Sequence, residues 1–212
     1  MLSTEYFESI PAGNLSFSCR RLNYGVGIND APFITNIKID GRTHTHPAMK
    51  CWSHMLERCY SKRAQERHPT YIGVTVCDEW ISFMGFFAWW KANQVDDWFI
   101  DKDILTDDMV YSPSSCLFVP RWLNNLLLDP KRKRDGLPIG ANWHQRVGAY
   151  QAMVCDFKTG KRRHIGYFSS IEEANMAYIN HKIEVATSLK PDMDSIDSRI
   201  YPRVIEIINR MK

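Results

Sequence analysis

Apolar residues recur at helical spacing in two segments of the N-terminal half. The first, "PAMKCWSHMLERCYS", has apolar side chains at steps of three and four and Pro47 near its start, which predicts an amphipathic helix. The second, "EWISFMGFFAWWKAN", has a broad aromatic stripe that predicts a helix packed in the core, with Asp78 as its candidate N-cap. The stripe comprises Trp80, Phe83, Phe86, Phe87 and Trp90.

Shorter elements follow these two helices. "DWFIDKDIL" indicates a short strand, "CLFVP" a second strand, and "RWLNNLLL" a short helix after it. The next segment, "DPKRKRDGLP", combines Pro and Gly with four consecutive basic residues, which is typical of a linker between domains.

Beyond this linker the pattern changes to strand alternation. "IGANWHQ", "GAYQAMVCDF" and "KRRHIGYF" predict three strands separated by the turns "RVG" and "KTG". "SSIEEANMAYINHKIEVATSL" predicts a helix that begins with a capping box of Ser170 and Glu173. Alternation puts one apolar face of the sheet against this helix. The residues expected in that contact are Tyr150, Ala152, Val154, Ala174, Ala177 and Tyr178.

We therefore expect an α+β protein of two domains. Residues 1–128 form the first domain and 129–136 a basic linker. Residues 137–190 form a three-stranded antiparallel sheet packed on one helix, and 191–212 a helical tail.

Composition indicates a folded chain inside a cell. The chain has 212 residues, of which 44% are hydrophobic, enough to bury a core. No stretch approaches the ~20 apolar residues of a membrane span, and "MLSTEYFESIPAGNL" lacks the basic-then-apolar pattern of a secretory signal. Six cysteines without such a signal indicate reduced thiols, so we expect a cytoplasmic protein. We also expect no membrane partner and no organic cofactor.

Positive charge is concentrated in one segment. Residues 131–166 contain nine Lys and Arg against two Asp, a net +7. The whole chain carries only +3, so the rest carries −4. A basic segment on a mildly acidic body is typical of a surface that binds phosphates.

Residues 137–189 resemble the Apetala/ethylene-response-factor type of DNA-binding domain, in the form also found in phage and bacterial nucleases. The resemblance rests on "IGANWHQRVGAYQAMV", on "KRRHIGYFSSIEEANMAY" and on the order of three strands and a helix. It implies a sheet that lies in the major groove of double-stranded DNA. Only Arg162 keeps the family's residue type among the groove-facing positions, so no target sequence is implied. The candidate DNA-binding residues are Asn142, His144, Arg146, Met153, Arg162 and His164, together with Lys131, Arg132, Lys133 and Arg134 of the linker.

Residues 98–125 resemble the core of HNH (His-Me finger) endonucleases, which hydrolyse phosphodiesters with one divalent cation. "IDKDIL" falls on the strand that carries an acid and a histidine base, and "YSPSSCLFV" on the loop and second strand. "PRWLNN" falls on the helix that supplies a metal ligand. The resemblance implies a degenerate ββα core with extra helices, in which Asp101 and either Asn124 or Asn125 bind Mg²⁺ or Mn²⁺.

Lys102 stands where this family has its histidine base, and Val110 stands at its loop asparagine. A free lysine is protonated at neutral pH and cannot accept a proton from water, although it can hold a phosphate. Three outcomes stay open: another residue is the base, the metal activates water alone, or the site is inactive. The histidines upstream are His44, His46, His54 and His68.

Three cysteines, Cys59, Cys77 and Cys116, are weak candidates for a structural zinc site with Cys51 or His54. Their spacing is not of the CxxC kind, and each lies in an apolar run. We therefore expect small core residues rather than zinc ligands.

Together these patterns predict a phage endonuclease of the homing or mobile-element kind, which acts in the bacterial cytoplasm. Its C-terminal sheet would select the site and its N-terminal domain would cut. One alternative is a DNA-binding regulator derived from such a nuclease that has lost catalysis. A second is a phage protein that acts on a host protein partner. The sequence leaves the oligomeric state open.

Overall fold

The computed structural model describes residues 2–128, 137–156 and 159–211, and it has mixed α and β structure. The helices are α1 Thr4–Glu8, α2 Asn14–Ser18, α3 Pro47–Tyr60, α4 Lys62–Arg67, α5 Asp78–Ile81, α6 Phe83–Asn93, α7 Arg121–Leu127, α8 Ile171–Ser188, α9 Lys190–Ile196 and α10 Ile200–Asn209. The strands are β1 Asn36–Ile39, β2 Arg42–Thr45, β3 Thr75–Val76, β4 Phe99–Asp101, β5 Val110–Tyr111, β6 Leu117–Val119, β7 Ala141–His144, β8 Ala149–Cys155 and β9 Arg162–Phe168. None of the helices in these ranges is long and apolar enough to cross a membrane.

The chain folds into two compact units. The first unit comprises Met1–Asp96 with Ile100–Phe118, and the second comprises Asp97–Phe99 with Val119–Lys212. The predicted linker at 129–136 lies outside the described residues. The division after Phe118 groups α7 with the second unit, because α7 packs on α10 and its apolar side is buried.

In the first unit, α3 confirms the predicted amphipathic helix. Pro47 occupies its first turn, and the ring of His46 caps it by accepting a hydrogen bond from the backbone N–H of Ala48. The predicted apolar stripe is buried against Gly27, where an added Cβ would lie 2.3 Å from Cδ1 of Leu56. The absence of a side chain at Gly27 therefore permits this close approach.

The predicted aromatic helix is in fact two helices, α5 and α6. Ser82 lies between them in an extended conformation, and its hydroxyl accepts the N–H of Gly85 to cap α6. Asp78 is therefore not the N-cap expected from the sequence; Cys77 is, and Asp78 is the first residue of α5. All five aromatic residues of the stripe are buried, which confirms their assignment to the core.

The remaining strands of the first unit form small sheets. β1 and β2 make an antiparallel hairpin, and β3 pairs in parallel with β5. β4 pairs with β6, and α7 follows β6 along the chain. This order agrees in outline with the expected ββα arrangement, but β4 ends already at Asp101 and β5 pairs elsewhere. The HNH core stays a prediction.

In the second unit, β7, β8 and β9 form a three-stranded antiparallel sheet packed on α8, as the sequence predicts. Ser170 and Glu173 form the predicted capping box at the start of α8. Gly140 precedes β7 with φ +78°, and a Cβ there would lie 2.1 Å from the ring of Tyr178. Both the backbone conformation and the contact with α8 therefore require glycine.

The segment predicted as a tail packs on the same unit. α10 contacts α7, α8 and α9. It spans Ile200–Asn209, within the helical tail predicted for residues 191–212. The buried side chains of α9 and α10 are Met193, Ile200, Val204 and Ile208.

Candidate nucleic-acid interface

The two faces of the β7–β9 sheet have different surroundings. One face packs on α8 through Ala141 and Ala152, which meet Ala174. On the other face, Gln151 lies opposite both Asn142 and Tyr167, so these three side chains form a row across the strands. We call this second surface the open face, and all its side chains are exposed or half-buried. Its residues are Asn142, His144, Gln151, Met153, Cys155, Arg162, His164 and Tyr167.

Five of the predicted DNA-binding residues therefore share one surface. Arg146 lies next to it, exposed in the turn between β7 and β8. The linker residues 131–134 lie outside the described part of the chain. The predicted residues on the open face are Asn142, His144, Met153, Arg162 and His164.

A β-bulge reshapes the open face. Ala152 lies opposite Gly166, but Met153 lies opposite His164, so β9 has one extra residue, Ile165, which packs on the side of α8. The extra residue brings Tyr167 onto the open face beside His164, with ring centroids 4.5 Å apart.

The bulge explains why Tyr167 is absent from the residues expected at the interface. Strict alternation from Arg162 and His164 would turn Tyr167 towards α8. Gly166 inside a predicted strand is the one local signal of a bulge. Gln151 shares its face with Met153 by simple alternation and also joins the candidate interface.

The imidazole of His144 has a defined orientation. Its Nδ1 accepts a hydrogen bond from the N–H of Val147 at 3.2 Å, so the neutral ring carries its proton on Nε2. The ring centroid lies 5.3 Å from that of Tyr167. His144, Tyr167 and His164 thus form an aromatic row, of which Tyr167 is 47% exposed.

The basic residues around the open face keep their charge available to a ligand. Arg146, Lys161, Arg162 and Arg163 are exposed. None of these four forms an ion pair within the described residues. Cations without an internal counter-ion favour the approach of phosphates.

In the first unit, Asp101 holds a turn. Its Oδ1 accepts the backbone N–H groups of Asp103 at 2.8 Å and of Ile104 at 2.9 Å. Burial raises the pKa of Asp101, whereas these two hydrogen bonds lower it. One carboxylate oxygen of Asp101 therefore binds the backbone of the turn. This structural role is separate from the metal-binding role that the sequence predicts for Asp101.

Lys102 is enclosed in the first unit. Its side chain is only 4% exposed, and its ammonium pairs with the carboxylate of Asp103. The Nζ atom also lies 5.9 Å from the centre of the Tyr111 ring. A phosphate could reach Lys102 only by displacing these contacts.

The expected metal ligands belong to different units. Asp101 lies in the first unit, and Asn124 and Asn125 are half-buried on α7 in the second. Their joint metal site stays a prediction. Within the described ranges, no group of three His, Cys, Asp or Glu is placed to hold a metal ion.

The four upstream histidines occupy different environments in the first unit. His44 lies on β2, whereas His54 on α3 and His68 after α4 are exposed. His46 is fully buried, and burial lowers its pKa.

The candidate zinc cysteines lie mainly in the core. Cys59 and Cys116 are buried, and burial raises the pKa of each thiol to about 12. Burial also raises the pKa of Cys77, which is half-buried. These shifts disfavour the thiolate form that binds zinc.

Comparison with known proteins finds no matching family model, no matching curated protein and no matching solved structure. The resemblances drawn from the sequence therefore stay predictions, and any function rests on the residues and geometry described above.

Proposed function

We propose that this protein binds double-stranded DNA through the open face of its β7–β9 sheet. The observation that supports this most is the surface itself. Exposed amide, imidazole, phenol and guanidinium groups lie together on one side of a sheet whose other side is covered by α8. Such groups provide donors and acceptors for the edges of base pairs.

The size of the sheet suits the major groove. Neighbouring strands lie about 4.8 Å apart, so three strands span roughly 10 Å between the outer backbones. The major groove of B-DNA is about 12 Å wide and admits β-strands. The open face can therefore enter the groove with α8 directed away from the DNA.

The side chains divide into two roles. Asn142, Gln151 and Arg162 can form paired hydrogen bonds with base edges, the amides with adenine and the guanidinium with guanine. Arg146 and Lys161, at the ends of the strands, contact phosphates and position the sheet. The linker residues 131–134 add phosphate contacts, as the sequence predicts.

Fluorescence anisotropy of labelled duplexes, measured across a series of salt concentrations, tests this proposal. We expect affinity to fall steeply with salt because phosphate contacts release counterions. Arg162→Ala should weaken binding by about 1–3 kcal/mol. Arg42→Ala is the matched control, since Arg42 is also an exposed strand arginine without an ion pair in the described residues, but lies on β2 of the first unit.

Two results would overturn the proposal. One is the absence of duplex binding at low salt, which would favour the alternative in which the chain acts on a protein partner. The other is an equal loss of affinity in Arg162→Ala and Arg42→Ala, because the open face would then have no special role.

Metal-dependent hydrolysis of phosphodiesters is the second candidate. It is supported by the strand–strand–helix order of β4, β6 and α7 and by the half-buried carboxylate of Asp101. Nicking of supercoiled plasmid in Mg²⁺ or Mn²⁺ is the assay. Asp101→Asn is the sharper variant, because an amide oxygen can still hold the turn while the charge that a metal needs is gone.

The outcomes of this assay separate the remaining possibilities. Cleavage that Asp101→Asn abolishes would support the nuclease and the role of Asp101. Cleavage that survives in Asp101→Asn would keep the activity and remove Asp101 from it. DNA binding without cleavage in either metal would leave a DNA-binding regulator.

A further inference from the structure

A cavity of about 680 Å³ lies beside the end of β8 in the second unit. It exists because β7 pairs only with residues 149–152, so that β8 continues past the start of β7 from Met153 to Cys155. The apolar lining includes Leu126 of α7, Leu128 at the C-cap of α7, and Tyr178 and Val185 of α8. The volume is within the range of pockets that enclose small organic ligands.

The polar lining of this cavity includes amide and guanidinium groups, together with Asp156, His181 and Lys182. The amides belong to Asn125, Asn142 and Gln151, and the guanidinium groups to Arg162 and Arg163. Within the described residues, none of these five side chains uses its donors or acceptors in a hydrogen bond or an ion pair. Their donors and acceptors are therefore available to a ligand.

These groups match the parts of a nucleotide. Side-chain amides carry a donor and an acceptor side by side, which pair with the hydrogen-bonding edge of a base. Arginine binds phosphate in a bidentate manner. An aromatic ring and apolar side chains, here Tyr178, Leu126 and Val185, provide surfaces for the flat faces of a base.

We propose that this cavity binds a single nucleotide unit, with the base against the amides and apolar walls and the phosphate at Arg162 and Arg163. The proposal rests on the proposed function, because the cavity and the open face share five residues. The shared residues are Asn142, Gln151, Met153, Cys155 and Arg162. The nucleotide that fits best is therefore an unpaired one in a bound DNA strand, rotated out of the stack.

A free mononucleotide has the same chemistry, so the test has two arms. The first arm compares, by anisotropy, a fully paired duplex with one that contains a single unpaired 2-aminopurine, and also records the fluorescence of that base. The second arm measures binding of free deoxynucleoside monophosphates by calorimetry. Leu128→Trp fills the cavity from the residue that follows α7, and Val185→Trp fills it from α8. Leu22→Trp, at an exposed leucine of the first unit, is the control.

We expect the unpaired duplex to bind about tenfold more tightly than the paired one. Binding should change the 2-aminopurine fluorescence. Both cavity-filling variants should bring the affinity ratio towards one and abolish the fluorescence change, whereas Leu22→Trp should retain both. Two variants are used so that a folding defect in one does not decide the result.

The failures of this proposal and of the proposed function are distinguishable. If paired duplex binds but neither unpaired nor free nucleotide responds to filling the cavity, the cavity proposal is wrong and DNA binding stands. If free nucleotide binds and both filling variants abolish it, while no duplex binds, the cavity proposal holds and the DNA-binding function fails. Nucleotide binding that survives both filling variants would also overturn the cavity proposal.

Discussion

His46 provides a direct test of how burial sets a charge state in this fold. Its ring is fully buried, with the ring centroids of Phe7, Phe33 and Phe87 at 5.5, 5.6 and 5.5 Å. Its Nδ1 accepts the N–H of Ala48 at 3.1 Å, so the proton of the neutral ring is on Nε2. That Nε2 is buried without a hydrogen-bond partner in the described residues. A second proton would occupy Nδ1 and remove the cap of α3.

The sign of the pH dependence follows from the lowered pKa of His46, which burial causes. The unfolded chain binds this proton with a pKa of about 6.5, whereas the folded chain resists it. The stability contributed by neutral His46 is fully present above this pH and is lost as pH falls towards the folded pKa. Between pH 7.5 and 5.5, proton uptake by the unfolded chain lowers the free energy of unfolding by up to about 1.4 kcal/mol.

The variant His46→Phe removes this titration while keeping a buried ring. It also removes the acceptor for Ala48, which costs about 1 kcal/mol at every pH. Urea unfolding followed by circular dichroism at pH 7.5 and 5.5 separates the two effects. We expect the parent to lose up to about 1.4 kcal/mol more than His46→Phe between the two pH values, because burial lowers the pKa of His46. His54→Phe, at an exposed position of α3, should behave like the parent. Equal pH dependence in the parent and His46→Phe would refute the reasoning.

Three further substitutions test individual contacts by urea or thermal unfolding. Asp101→Ala leaves two backbone N–H groups without their acceptor and should lower the free energy of unfolding by about 1–3 kcal/mol. Asp101→Asn keeps the acceptor and should lower it less. Equal losses in the two variants would contradict the role of Asp101 in the turn. In Gly140→Ala the new Cβ would lie 2.1 Å from the Tyr178 ring, at a residue with φ +78°. We therefore expect the free energy of unfolding to fall by roughly 3 kcal/mol or more. A variant as stable as the parent would refute this contact. Ser170→Ala removes the side-chain half of the capping box and should lower the free energy of unfolding by about 1 kcal/mol. Ser170→Asp should retain most of that stability. No loss in the alanine variant would mean that the cap is dispensable.

In the second unit, the sequence predicts those features that depend on residues close together in the chain. The capping box of Ser170 and Glu173 and the alternation of Tyr150 and Ala152 depend on neighbours in sequence, and the structure contains both. Tyr167 could not be assigned to the open face in this way. Its orientation depends on one extra residue in β9, which becomes visible only when β9 is paired with β8.

The first unit shows the same limit at two positions. The aromatic stripe continues across Ser82, so periodicity alone merges α5 and α6. The extended Ser82, which caps α6 and pairs with Ile28, separates the two helices. The burial of Lys102 depends on distant residues such as Tyr111, which no local pattern reveals. The sequence shows that Asp101 and Asp103 flank Lys102. It does not show that Asp101 holds a turn, because that role depends on the backbone conformation at Asp103 and Ile104.

The central claim is that one particular face of the sheet binds DNA. Tyr167 and Trp143 test it directly, because both are aromatic residues of the same sheet and are 47% and 52% exposed. Tyr167 lies on the open face, whereas Trp143 packs edge-on against Tyr150 on the opposite side.

The decisive measurement is the duplex affinity of Tyr167→Ala and Trp143→Ala by anisotropy at one fixed salt concentration, with folding of both variants checked by circular dichroism. We predict that Tyr167→Ala weakens binding about tenfold and that Trp143→Ala leaves it near the value of the parent. An equal loss in both variants, a larger loss in Trp143→Ala, or no duplex binding by the parent would contradict the claim.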